Sequence, residues 1–516
     1  MVAEIRLMIL NLPSPPHRII DRDYAGGFGI ARSLPRFRRR HSGRPSLNLF
    51  LPYSAAVAEE IGCEYKILDA QALELTAKEA LQKTKRFNPD IVISMMSLPS
   101  IYEDEKLLND IKAELPNTLV VGCGTVCNVM PEDVLHRSKI DLLLRESFPY
   151  VDGLTLLLNS FQSSKKKTKL EDLPGFSYKK GSDVRNNPPK PTEKQFVDYT
   201  PLYNVLPLKK YQYFTDLEGE EHLFIPILGS EGCPHSCMYC PYPIGFGRKP
   251  IFKHFKHVVD EIDNLQQMGI EGFLFRNQSF TLDQEWAKNV CNEIINRKLD
   301  ISWFCEARVD ETSKTILALM HKAGCKTIDY GVETGDPTLI RIAKPGAYPE
   351  NTYITFKNAK ETGIWRHAHM ILGLPGENQQ TLKRTHRYLL KLDPESVSLN
   401  FATPYPGTKM YEIAERNNWI ITHNWTYYSS FDVVMTPPNL NAENLYRTAM
   451  QIEKSLLAQK AKQLISSGLN MNTLGLVINH YLQIAMAYVR FRNHYRNFRN
   501  KIQKVHTTSN NQNASS

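Results

Sequence analysis

Three of the nine cysteines in this 516-residue chain stand on one short segment, GCPHSCMYCP, which places Cys233, Cys237 and Cys240 in a C-x3-C-x2-C spacing. Thiols this close bind metal, cross-link or share a core, and the spacing bears on which. A structural zinc ion takes four ligands. Cys237 and Cys240 with His254 and His257 approach a finger pattern, but H-x2-H is tighter than usual and Cys233 is surplus. His235 as a fourth ligand would have to fold back within its own loop. The core reading suits Cys63, Cys291, Cys305 and Cys325, each alone in an apolar pattern, better than a trio bounded by Gly and Pro. The third reading is an iron–sulfur cubane held by three thiolates. One iron then lacks a protein ligand, and an open metal position is where a substrate or cofactor coordinates. The spacing favours this reading and leaves the other two open.

The elements that would carry such a loop can be read from patterning. Hydrophobic content of 42% and charged content of 23% are those of an ordinary globular protein. The first apolar run, Ile5 to Leu10, is too short for a signal segment and reads as a strand. No run reaches the ~18 apolar residues of a membrane span; the nearest, residues 474–489, holds Asn479, His480 and Gln483. A cytoplasmic location is expected, where clustered cysteines favour metal over disulfide. Residues 1–155 alternate apolar runs (4–13, 63–70, 90–98, 117–125 and 140–146) with helical patterns, the mark of an α/β doubly wound parallel sheet. Ligands of such sheets bind at the carboxyl ends of strands, where Ser94, Ser97, Gly122, Gly124 and Thr125 fall. Residues 156–215 read as a charged linker with a small hairpin. Residues 216–437 resume the alternation, with strands expected at 225–228, 272–275, 301–305, 327–331, 369–372 and 397–401, a partial (βα)6 barrel. Residues 438–505 form a helical region and 506–516 a low-complexity tail expected to be disordered.

The cysteine loop resembles the signature of the radical S-adenosylmethionine (SAM) superfamily, which has an aromatic residue before the last cysteine, here Tyr239. Segments 272–283, 303–310, 329–336, 369–378 and 401–411 look like that family's later strand regions. The resemblance implies a [4Fe-4S] cluster on Cys233, Cys237 and Cys240, with SAM on its open iron. It implies Glu333 at the SAM ribose or amine, Tyr239 at the adenine, and Arg276, Glu306 and Arg308 at the methionine end or the cavity wall. Asn277 departs from the family's aspartate. Segments 45–70, 90–100, 118–135 and 141–147 resemble the cobalamin (B12)-binding domain of the B12-dependent branch. Methylthiotransferases carry a second cysteine set there, which Cys63, Cys123 and Cys127 do not reproduce. The resemblance implies that Ser94, Ser97, Gly122, Gly124 and Thr125 line the cobalamin site. In residues 21–26, DRDYAG, Asp23 stands where other B12 proteins have a cobalt-binding histidine, so no histidine ligand is expected.

As the family implies, reductive SAM cleavage gives a 5′-deoxyadenosyl radical that takes a substrate hydrogen, and methylcobalamin delivers a methyl group. The expected activity is methylation of an unactivated carbon or phosphorus in a small molecule, lipid or peptide. The electron would come from a flavodoxin- or ferredoxin-type donor. Cyclisation or rearrangement without methyl transfer is the alternative on the same cofactors. A reading of another class, RNA binding or modification, rests on basic clusters at residues 32–44 and 490–504, within a net charge of +9. The second cluster lies on a helical pattern with Tyr488, Phe491, Tyr495, Phe498 and Ile502 on one face, so a membrane surface is a further expected contact there, and the loop of residues 32–44, which follows the first strand, is expected to meet an anionic substrate.

Overall fold

The run Ile91–Met95 is buried at every residue, the pattern of a strand covered on both faces. In the computed structural model, which describes residues 5–33, 43–163, 169–189, 199–215 and 221–466, it is an inner strand of the first of two seven-stranded sheets. In chain order the first region holds β1 (Arg6–Asn11), β2 (Arg18–Asp21), β3 (Ile30–Ser33), β4 (Glu64–Asp69), β5 (Ile91–Met95), β6 (Leu119–Cys123), β7 (Leu142–Leu144), β8 (Phe176–Lys180) and β9 (Asp183–Asn186). The sheet order is β4-β1-β5-β6-β7-β8-β9, with β4 to β7 parallel. This is the doubly wound order whose direction reverses between β1 and β5, making a ligand crevice at their carboxyl ends.

Two features depart from the sequence reading. The hairpin β8–β9, expected within the linker, pairs antiparallel with β7 and forms the edge of the first sheet. The excursion after β1 contains the antiparallel pair β2–β3, where the sequence suggests only loop. Both pairings are long-range or turn-dependent, which hydrophobic period does not report.

The second sheet holds β10 (Tyr213–Thr215), β11 (Glu221–Ile227), β14 (Gly272–Phe275), β15 (Ser302–Ala307), β16 (Cys325–Glu333), β17 (Trp365–Leu372) and β18 (Ser396–Phe401); a separate pair, β12 (Ser230–Glu231) and β13 (Ile251–Phe252), follows β11. Strands β11 to β18 of this sheet run parallel and match the six expected positions, while β10 adds an antiparallel edge. Helices Phe255–Gln267, Gln284–Asn296, Lys314–Lys322, Pro349–Thr362 and Gln379–Leu392 connect the strands. Asp283, Ser313 and Asn378 cap three of them by accepting backbone N–H bonds, each worth about 1 kcal/mol.

One apolar cluster runs from Ile9 and Ile93 through Ile227 and Phe273 to Met370 and Tyr446, so the two sheets share a core. Helix Ala442–Ser466 supplies Tyr446, whose ring packs edge-on against Phe401. Residues 34–42 and 467–516 lie outside the described residues, and with them most of the first basic cluster, the whole C-terminal one and the tail. Of the first cluster, Arg32 is paired with Asp21 and Arg44 lies over the Tyr213 ring. Among the described residues no helix is long and apolar enough to cross a membrane.

Candidate functional site

The cysteine loop lies between β12 and β13, which pair antiparallel and close its base. Gly232 opens it at φ 82, where a side chain would also strike the Lys249 carbonyl. Backbone bonds then fix its path: Cys233 N–H donates to Gly247 O (3.0 Å), Cys240 N–H to Cys237 O (3.1 Å), and Met238 N–H to Ala343 O (3.0 Å). Met238 O in turn accepts from Met410 N–H (2.9 Å), tying the loop to the end of the sixth βα unit. All three thiols are free. Burial pushes each of them up, while the Arg308 guanidinium pulls Cys233 and Cys237 the other way. Arg308 Nη1 donates to Cys237 Sγ at 3.5 Å.

The zinc sets fail on placement. His235 pairs with Glu311 at 2.6 Å, and His254 caps helix Phe255–Gln267. Among the described residues no three His, Cys, Asp or Glu side chains converge on a single-ion site. Three thiols spread around one loop suit instead the separate irons of a cluster.

Tyr239 and Glu333 are brought together, their side chains hydrogen bonded, with burial holding the phenol well above its usual range. Glu333 ends β16 at φ 64, beside a register break, a strained backbone for a non-glycine residue. Lys344 holds this turn: Nζ donates to Gly331 O (2.6 Å) and to Glu333 Oε1 (3.0 Å). Sequence reasoning missed Lys344, which lies beyond helix Pro337–Ala343 in no recognisable motif. Arg308 completes this side through Asp310 Oδ2 (2.7 Å) and Pro345 O (3.1 Å).

Arg276 and Glu306 form a second group, at the seam with the first sheet. Arg276 donates to Asp23 O (3.0 Å) and Glu306 Oε1 (3.4 Å), and its guanidinium lies 4.1 Å from the Tyr24 ring centroid. Asn277 donates to Ser230 Oγ (2.8 Å), so it holds the strand end rather than facing the site. Gln278, which no motif marks, keeps both ends of its amide buried without a partner. Burial raises the Asp23 carboxyl to about 6, opposed by Arg276. Arg276→Met should therefore leave the buried Asp23 carboxyl, and the part-exposed Glu306, without their cation and cost on the order of 3 kcal/mol, read as a lower urea midpoint at pH 8.

The five residues expected at the cobalamin site stand at the carboxyl ends of β5 and β6, and the segment 21–29 packs on two of them, Ser97 and Thr125. Ser97 Oγ accepts from Arg22 Nη1 (3.0 Å), and Thr125 Oγ1 donates to Gly26 O (2.6 Å). A Cβ on Gly29 would come within 2.7 Å of Ser97 Cβ, and one on Gly124 within 2.6 Å of the Met96 carbonyl. Ser94 Oγ is buried without a hydrogen-bond partner, a donor and acceptor held ready for a ligand. Asp23 Oδ1 is likewise buried and unpartnered.

The turn after β17 is tied by Glu377, whose carboxylate accepts from Gly373 N–H. Burial raises this carboxyl from 4.5 to about 8, opposed by the Gly373 and Leu374 amides. A raised carboxyl stabilises the fold below its unfolded value and loses that contribution as pH rises through the folded one. Thermal stability should therefore fall between pH 4.5 and about 8, and Glu377→Gln should flatten that slope.

Residues 227–389 match the model of the Radical SAM superfamily. The chain is 29% identical over 411 residues to an uncharacterised methyltransferase of Pyrococcus horikoshii, covering 79% of this chain and 87% of that one. It is 24% identical over 445 residues to the anaerobic magnesium-protoporphyrin IX monomethyl ester cyclase of Cereibacter sphaeroides, covering 85% of this chain and 69% of that one. Its fold superimposes with a TM-score of 0.66 on the radical SAM methyltransferase TsrM of Kitasatospora setae, solved with cobalamin and a [4Fe-4S] cluster, at 17% identity over 88% of this chain and 89% of that one. With the cysteine loop on the lip of six parallel strands, residues 227–389 are similar to the Radical SAM superfamily, and the chain shares its two-sheet fold with TsrM.

Proposed function

We propose that the chain is a cobalamin-dependent radical SAM enzyme that methylates an unactivated carbon, or a phosphorus, of a small-molecule, lipid or peptide substrate. The observation that carries this reading is the pairing of three free thiols with the Tyr239–Glu333–Lys344 group on one side, and Ser97 and Thr125 with segment 21–29 on the other. When bound, the cluster, SAM and cobalamin supply radical generation and a methyl group. Cys233, Cys237 and Cys240 would hold the cluster. Arg308 would offset negative charge at Cys237, and Glu333, oriented by Lys344, would accept hydrogen bonds from SAM. Ser94 would meet the corrinoid once segment 21–29 yields, with Ser97, Gly122, Gly124 and Thr125 beside it. Gly26 and Gly245 meet so closely that a Cβ on Gly245 would strike the Gly26 carbonyl, and so close a seam would help to keep water from the reaction.

We further propose residues 1–155 as the cobalamin domain and 216–437 as the barrel, with edge β8–β9 extending the first. A flavodoxin or ferredoxin in the cytoplasm would supply the electron. The similarity to a cyclase favours one second reading, ring formation without methyl transfer.

Anaerobic reconstitution followed by iron, sulfide and cobalt analysis, with quantitation of SAM products, tests both. About four irons, one cobalt and one S-adenosylhomocysteine per turnover support methylation. 5′-Deoxyadenosine without S-adenosylhomocysteine supports cyclisation. Zinc in place of iron overturns both.

A further inference from the structure

Along β15 to β18 one set of side chains packs against the outer helices and the other faces the barrel lumen. Ile328, Tyr330, Ala368, Met370 and Leu399 are of the buried, outward set. The inward set is aligned by register into two rows: Glu306, Asp329, His367 and Ser396 in the lower, and Gly331, His369 and Ser398 above it. Neither row contains an apolar side chain larger than hydrogen. Asp329 and His369 keep 26% and 36% of their side-chain surface accessible, so the rows face open lumen.

The contacts give these rows a definite polarity. His369 Nε2 lies 3.7 Å from Asp329 Oδ2, an ion-pair separation. His367 stands between two serines, Nδ1 at 2.6 Å from Ser396 Oγ and Nε2 at 2.9 Å from Ser398 Oγ. Trp365 Nε1 donates to Ser396 Oγ at 3.1 Å, and the Ser396 hydroxyl can still donate to His367 Nδ1. In the tautomer with the proton on Nε2, that N–H donates to Ser398, whose own hydroxyl proton is left for a ligand.

The charges do not balance. Asp23 and Glu306 share Arg276, Glu333 takes Lys344, and Asp329 takes His369, so four carboxyls face three bases. Lys344 and Glu333 close over Gly331, where a Cβ would strike both, so the rows of Asp329 and His369 lie beneath the residues proposed for SAM. A carboxylate lodged there would face Asp329 and Glu306. A bare hydrocarbon would strip water from the polar side chains of these rows and return no hydrogen bond.

We infer that the lower lumen of the barrel binds the substrate through an amine- or hydroxyl-bearing group, with Asp329 and Glu306 as acceptors and Ser398 as donor. This names a substrate class for the activity proposed above and rests on that reading for the word substrate, while the binding itself is measurable without turnover.

The test is NMR of histidine-ring-labelled, anaerobically reconstituted protein, with the lumen signals assigned through His367→Gln and His369→Gln. The probes are n-butylammonium, n-butanol and n-butyrate, each with and without saturating SAM. Butylammonium and butanol should move the His369 signals saturably in the presence of SAM, with butyrate at least about tenfold weaker. Asp329→Asn, which removes an anionic acceptor, should weaken butylammonium more than butanol. Ser398→Ala, which deletes one hydroxyl and spares the ion pair, should weaken butanol and keeps the test readable if Asp329→Asn does not fold. Equal binding of butyrate, no shift with any probe, or displacement of the probes by SAM overturns the inference. A preparation without an iron cluster sinks the proposed function instead and leaves the probe titration to stand on its own.

Discussion

Alanine at any one of Cys233, Cys237 or Cys240 should strip anaerobically reconstituted protein of its iron–sulfur absorbance and bring SAM cleavage to background. The comparison that gives this force is with cysteines elsewhere. Cys291 and Cys325 are buried in the shared core, against the outer helices and strand ends, and burial holds the Cys291 thiol well above its usual range. Such thiols act as small hydrophobes, so Cys291→Ala should cost about 1 kcal/mol of stability and leave the iron content unchanged. The loop thiols are also raised by burial, but Arg308 lies within 3.5 Å of Cys237 and Lys344 adds a second positive charge nearby. A thiolate bound to metal recovers what burial costs it, and metal binding there should release protons, measurable as acid uptake by base on reconstitution. If any single alanine variant retains a full cluster and SAM cleavage, the three thiols are not the ligand set and the reading of this loop fails.

The parts of this site legible in the sequence are those carried by local pattern. The cysteine spacing, Tyr239 before the last cysteine, and the six strand ends each occupy a few contiguous residues, and the barrel strands lie at the expected places because β14 is an apolar run and β15 to β17 alternate buried and part-exposed residues between helices. The parts that escaped depend on register. Lys344 reaches Glu333 only because β16 breaks register at Gly331 and the following helix turns back over it. Arg276 meets Asp23 across 253 positions, a pairing set by the packing of two sheets. The inward rows of β15 to β18 required the alignment of four strands, since Asp329 or His369 alone is an unremarkable polar residue in an alternating strand. The hydroxyls of Ser97 and Thr125 were rightly placed at the strand ends, yet nothing local showed that segment 21–29 would fold onto them.

That covering segment rests on one fully buried ion pair, and the second large effect should come from breaking it. Arg22 and Asp104 are 2.5 Å apart with almost no accessible surface, and Ser97 and Ser100 both donate or accept within the same group. Asp104→Ala leaves a guanidinium in the interior with two serines and the Leu12 carbonyl as its only remaining partners among these contacts. Removing one member of a buried pair costs about 3–5 kcal/mol, because the other is left charged and dry, whereas replacing both with apolar residues of similar volume is often neutral. Asp104→Ala should therefore lower the urea midpoint strongly, and Arg22→Met with Asp104→Leu should restore much of it. The two variants should differ in another way. Gly26, Gly27 and Phe28 are held through Thr125, Leu98 and the Tyr405 ring as well, so the double variant should keep segment 21–29 seated, with slow amide exchange at Leu98, which donates to Phe28 O. In Asp104→Ala that amide should exchange faster by the factor the lost stability dictates, roughly tenfold per 1.4 kcal/mol. If single and double variants lose equal stability, the pair is a packing element rather than an electrostatic one. If Leu98 exchange is unchanged in both, segment 21–29 is anchored by its glycine contacts with Ser97 and Thr125 and does not depend on Arg22.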